Sequence, residues 1–120
     1  MLIKIFTTFA LTITFTDKKL EKLSANYNKC RQQIGNRMAK LLVTRLNALK
    51  DANTLEDLRN MPGRFHELIG ERKGQWSCDL EHPFRLVFKP HENPIPVNGH
   101  GQYIWFEISG VEVIEIVDYH

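Results

Sequence analysis

One hundred and twenty residues with 42% hydrophobic and 25% charged side chains make one ordinary globular domain, long enough to bury about 65% of its unfolded surface around a single core. That balance excludes a disordered tail, a fibrous repeat and a coiled coil. Two cysteines, Cys30 and Cys78, stand in no metal-ligand spacing; they exclude a disulfide scaffold and point to reduced thiols in the cytoplasm. The net charge of +2 conceals a split, because residues 1–50 hold ten Lys and Arg against two acids and residues 91–120 hold none against five. A basic half attracts an acidic partner such as nucleic acid, although a merely solvated helix face carries the same signature.

The apolar run from Leu2 to Phe15 is broken by Thr7, Thr8, Thr12 and Thr14. It is shorter than the roughly 20 apolar residues of a membrane span and has no small-x-small cleavage site, so neither a span nor a signal peptide is expected. Residues 1–10 read as an extra N-terminal segment. From Leu11 onward, Leu11, Ile13 and Phe15 alternate with threonines, which predicts a strand with one buried face. Thr16 or Asp17 then caps a helix in which Leu20, Leu23 and Tyr27 share a face. Gly35 and Asn36 interrupt it, and Asn36 caps a second helix with the stripe Met38, Leu41, Leu42 and Leu49. Thr54, with Asp57 three residues on, resembles the capping box of a short helical turn that Pro62 and Gly63 end.

After Gln75 the apolar period changes from 3.6 to 2. Runs 75–80, 84–89 and 111–117 read as strands, with 103–108 a fourth, and glycines, prolines and serines supply the turns between them. VEVIEIV (111–117) is apolar on both faces and therefore reads as a central strand. The connection 90–101 holds three of the five prolines and reads as a mobile or partner-binding loop. The sum is a single α+β domain over 1–120: an N-terminal strand, two main helices, then an antiparallel sheet of three to four strands packed against them.

Fold class alone says nothing of function. Alternation along 84–89 puts Phe84, Leu86 and Phe88 on one face and Arg85, Val87 and Lys89 on the other; with the phenylalanines toward the helices, Arg85 points to the open face. Taken alone it is a surface arginine. The sequence closes on Asp118, Tyr119 and His120, where a carboxylate beside an imidazole orients the ring and raises its pKa. Regular pleating puts Asp118 and His120 on one face and Tyr119 on the other, unless the strand bends at its end. Composition alone favours a frayed polar end. His82, His91 and His100 fall in turns or the long loop without a metal-ligand pattern, so no metal and no other cofactor is expected. Trp76 and Trp105 read as core.

The segments HELIGERKGQWSCDL (66–80), FRLVF (84–88) and the terminal VDYH resemble the HigB branch of the RelE/ParE toxin superfamily, and within it the subset labelled killer suppression proteins. The resemblance runs from about Ile13 to His120. It implies a RelE-like fold and a type II toxin that enters the ribosomal A site and cuts messenger RNA, held inactive by a helix-turn-helix antitoxin. Such a chain is expected to form a homo-oligomer or a toxin–antitoxin heterotetramer.

Carried over residue by residue, the resemblance makes His66, Arg85, Asp118, Tyr119 and His120 the catalytic set. His120 would be the general acid or base, Asp118 its orienter, His66 the complementary proton carrier, Arg85 the cation on the phosphate and Tyr119 a stacking or hydrogen-bonding group. Where several relatives have a lysine after the histidine, this chain has Ile69, and Arg72 or Lys73 would substitute for it. Lys18, Lys19, Lys22, Arg37, Lys40 and Arg45 would meet RNA phosphates, a salt-sensitive grip. The fold also admits gyrase poisoning of the ParE type, against which the His66, Asp118 and His120 set argues, or a non-catalytic partner-binding (suppressor) module.

Overall fold

The computed structural model describes residues 11–118. The strand expected after Leu11 is β1 (Thr12–Phe15), with Ile13 and Phe15 turned inward and Thr12 and Thr14 outward. Asp17 caps α1 (Lys18–Ala25), its carboxylate accepting the N–H groups of Lys19 at 2.8 Å and Leu20 at 3.3 Å. The single helix read from there to Gly35 is two helices, α1 and α2 (Tyr27–Ile34). Asn26 makes the break: its N–H ends α1 on the Leu23 carbonyl, and its side chain starts α2 by accepting the Lys29 N–H at 3.1 Å. Asparagine is among the best N-caps, so a polar residue inside an apparently continuous stripe divides it. In α3 (Asn36–Asp51) the cap position falls to Gly35, at φ 90°, and Asn36 is the first helical residue rather than the cap. Thr54 caps α4 (Leu55–Leu58) as its spacing predicted, accepting the Asp57 N–H at 3.3 Å.

The sheet comprises β1, β2 (His66–Glu67), β3 (Trp76–Asp79), β4 (Phe84–Pro90) and β5 (Gly110–Asp118), in the order β1-β5-β4-β3-β2. β1 runs parallel to β5 and the other neighbours are antiparallel. Thus β5 is interior, as its two-sided apolar pattern predicted. The run 103–108 is not a strand: Tyr103 makes one bridge with Val97, and Trp105–Glu107 forms a 3₁₀ turn. The turn drops Trp105 edge-on against Trp76, ring centroids 5.5 Å apart, and lets its indole N–H reach the Glu67 carboxylate at 3.2 Å. Burying one large ring outweighs another strand pairing.

One face of the sheet meets the helices. Trp76, Cys78, Leu86, Phe88 and Val113 pack there against Leu42, Leu49, Leu55 and Leu58, all essentially without exposure. Phe84 departs from expectation; at the strand's start it is 37% exposed. Cys30 and Cys78 are free, buried thiols, and burial pushes the pKa of both upward. Among the described residues no helix is long and apolar enough to cross a membrane.

The 90–101 loop is fastened at its root. The His91 N–H donates to the Gly110 carbonyl at 2.8 Å, and the Glu92 carboxylate accepts both the N–H and the hydroxyl of Ser109, at 2.8 and 2.7 Å. Burial alone would raise the Glu92 pKa, but these hydrogen bonds, with help from nearby His91, lower it below the ordinary 4.5. A carboxyl depressed by folding stabilises the fold above its unfolded pKa, and that contribution disappears as pH falls through the folded value. Denaturant titrations should therefore find Glu92→Gln less stable than the wild type at pH 7, with the difference closing below about pH 4.5; a difference independent of pH would contradict the anchor.

Candidate functional site

Strand register composes the sheet's second face. Directly paired residues share a face, so His66, Ser77, Val87 and Glu115 form one row across β2 to β5, and Asp79, Arg85 and Val117 form the next. Ser77 and Val87 floor this face without surface exposure, and the Ser77 hydroxyl has no hydrogen-bond partner. With strands about 4.8 Å apart and about 3.4 Å of rise per residue, the Cα atoms of His66 and Arg85 lie roughly 12 Å apart.

Asp79 ties the face together. Its N–H donates to the Gly63 carbonyl at 2.7 Å, and its own carbonyl accepts the Arg45 Nε–H at 2.7 Å. Its carboxylate lies 3.4 Å from Arg85 Nε on one oxygen and 3.7 Å from Arg64 Nη1 on the other. The approach of Arg45 requires glycine at 63, since a Cβ there would sit 2.5 Å from Arg45 Nε on a backbone already at φ 115°. Arg64 follows in the left-handed region, φ 53°, and its carbonyl lies 2.7 Å from His66 Nδ1. A carbonyl only accepts, so Nδ1 carries the hydrogen and the neutral ring presents its lone pair at Nε2.

The other expected residues divide. Arg72 reaches the second face, its guanidinium 2.9 Å from Gln75 Oε1 and 3.2 Å from Glu115 Oε2. Ile69 is 87% exposed, and the Lys73 ammonium lies over the Tyr103 ring, 5.8 Å from its centroid. Asp118 pairs with Phe84 and so belongs to the helix side of the sheet, away from Arg85 and His66. Tyr119 and His120 lie outside the described residues. On the helical layer Lys18, Lys19, Lys22 and Lys40 are exposed, and Arg37 stands 3.8 Å from Glu81. Arg45 is half-buried and its Nε–H donates to the Asp79 carbonyl, which makes it a strut between α3 and β3. Asp79, Arg64 and Ser77 were missed. The signal for two of them was present, because alternation in QWSCDL sets Ser77 and Asp79 opposite the buried Trp76 and Cys78.

A mixed sheet with helices on one face is shared with solved toxin structures. The structure is similar to a YoeB/ParE toxin from Agrobacterium tumefaciens (TM-score 0.56, 15% identity, 92% of this chain and 100% of that one). It is similar also to the toxin in a YoeB-YefM complex from Staphylococcus aureus (0.55, 20% identity, 92% and 97%) and to a YoeB dimer from the same organism (0.53, 20%, 92% and 98%). At these identities the likeness is one of fold. Comparison with curated protein sequences gives no match. The family is settled by sequence: residues 13–104 match the family described as the RelE-like toxin of type II toxin-antitoxin system HigB, and the chain belongs to that HigB-like family. The match includes His66 and Arg85 and stops before Asp118.

The Arg64 bond makes a direct expectation. Nitrogen NMR of the neutral His66 ring should show the Nδ1–H tautomer, and Gly63→Ala, which displaces the Arg45 and Arg64 segment, should mix the tautomers; a wild-type ring protonated at Nε2 alone would contradict the geometry.

Proposed function

We propose that this HigB-like toxin is a ribosome-dependent endoribonuclease that cuts messenger RNA without a metal. The observation that carries this reading is the placing of His66 and Arg85 on one sheet face, both braced through the Asp79 frame. His66 Nε2 accepts the proton of a ribose 2′-OH as that oxygen attacks the adjacent phosphorus. The developing negative charge on the phosphorane falls to Arg85, whose planar fork matches two phosphate oxygens. The bond from phosphorus to the 5′-oxygen then breaks, a proton is delivered to that oxygen, and the products are a 2′,3′-cyclic phosphate and a 5′-hydroxyl end. In this reading His120 is the second proton carrier and Tyr119 holds a neighbouring base. Register puts Asp118 on the helix side, so this reading requires the chain to bend after β5 to bring His120, oriented by Asp118, to the His66 face. Arg72, already on the face, takes the place of the lysine that Ile69 lacks.

Supporting the rest of the reading are the exposed lysines of α1 and α3, suited to ribosomal RNA phosphates, and the toxin–antitoxin assemblies of the S. aureus fold relatives. We take the partner to be a helix-turn-helix antitoxin and the resting form to be a toxin–antitoxin oligomer in the cytoplasm.

Inducing the protein in cells and mapping messenger 5′-ends tests this. The wild type should arrest growth and create new 5′-hydroxyl ends. His66→Ala should lower their yield about 10² to 10⁴-fold, and Arg85→Ala about 10² to 10³-fold. Arrest without new ends would overturn the nuclease and favour gyrase poisoning or simple partner binding.

A further inference from the structure

At the other end of β4 the second face opens into a cleft of about 440 Å³, lined by residues of the Lys73–Gln75 turn, the Lys89–Ile95 segment and Glu112. Lys89 lies four residues beyond Arg85, an even separation that keeps both on one face. The two Cα positions are about 14 Å apart along the strand. That is further than one nucleotide reaches and short enough for an extended RNA strand to span. The cleft and the proposed cutting centre are thus two stations on one track.

The lining chemistry selects the occupant. Of the two acids, Glu92 holds Ser109 through one carboxylate oxygen while its other oxygen is buried without a hydrogen-bond partner, and Glu112 receives the Thr16 hydroxyl and lies 3.9 Å from the Lys89 ammonium. That last separation is at the limit of an ion pair, so Lys89 turns to a stronger anion at little cost. Among the described residues Lys73 has no carboxylate partner and rests on the Tyr103 ring. Two ammonium groups thus face one cleft with no tightly held anion between them. Beside them stand the Asn93 amide and the exposed His91 imidazole, a ring able to stack on a base, and half-buried Ile95 supplies an apolar wall. A phosphate joined to a flat, hydrogen-bonding ring satisfies all of these at once.

We infer that this cleft is a subsite for a second nucleotide of the same RNA strand, two to three positions from the cut. Lys73 and Lys89 hold its phosphate, and His91, Asn93 and Ile95 receive its base. The inference rests on the nuclease reading and gives it a source of sequence preference away from the cut.

Its test is a comparison of cleavage maps from cells inducing the wild type, the Lys73→Ala/Lys89→Ala double variant and the His91→Ala/Asn93→Ala double variant. All four side chains are exposed and outside the core, and a thermal melt verifies that each variant folds. The wild type should show a base bias two to three nucleotides to one side of the cut. The lysine variant should cut about tenfold less often, the loss expected of one charge-assisted hydrogen bond, and the His91/Asn93 variant should keep cutting while that remote bias flattens. Maps identical in frequency and bias would overturn the subsite while leaving the nuclease intact. Unchanged maps combined with escape from antitoxin neutralisation would also overturn it, assigning the cleft to a protein partner. No cutting by the wild type would overturn the nuclease and the subsite together.

Discussion

Asp79 is the constraint on which the rest depends. A single residue at the end of β3 engages its N–H, its carbonyl and both carboxylate oxygens with four different parts of the chain: Gly63, Arg45 of α3, Arg85 of β4 and Arg64. One of those oxygens is enclosed without a hydrogen bond, balanced by the Arg85 charge 3.4 Å away. Because Arg64 in turn holds His66 Nδ1, the imidazole and the guanidinium are positioned from one point. The helical layer participates through Arg45, so the core behind the sheet and the chemistry in front of it share a strut.

The electrostatics of the second face follow one main rule. The arginines and Lys89 meet carboxylates: Arg64 and Arg85 meet Asp79, Arg72 meets Glu115, and Lys89 meets Glu112, while Lys73 rests on the Tyr103 ring. All of these pairs are partly exposed, and such pairs contribute little to stability. On the proposed function, their value is to hold long side chains in place for a polyanion. A phosphate then competes with carboxylates on a prearranged surface, avoiding most of the ordering cost that free arginines would incur. The floor beneath is rigid, since Val87 and Ser77 are enclosed and the reverse side of the same strands carries Trp76 and Phe88, stacked 6.4 Å apart.

Much of this was legible in the sequence, and the failures have physical causes. The period-2 runs marked β1, β3, β4 and β5, and the same alternation sent Arg85 to the face away from the core. The division at Asn26 was hidden because a capping residue inside an apolar stripe does not disturb the stripe. The 103–108 run alternates as a strand does, yet the indole of Trp105 had a better place against Trp76 than any sheet edge offered. Arg45 looked like one more helix cation, since nothing local marks a guanidinium that bonds a carbonyl 34 residues away. Asp118 illustrates the limit of proximity in sequence: one residue beyond the partner of Arg85, it falls on the opposite side of the sheet.

The most direct measurement of the central claim is a double-mutant cycle on single-turnover RNA cleavage, combining Asp79→Asn with Arg85→Ala. If Asp79 works by holding Arg85 in place, the asparagine should slow cleavage at least about tenfold in the wild-type background, and most of that loss should vanish once Arg85 is absent. Equal losses in both backgrounds, or an Asp79→Asn protein that cuts as fast as the wild type, would contradict it.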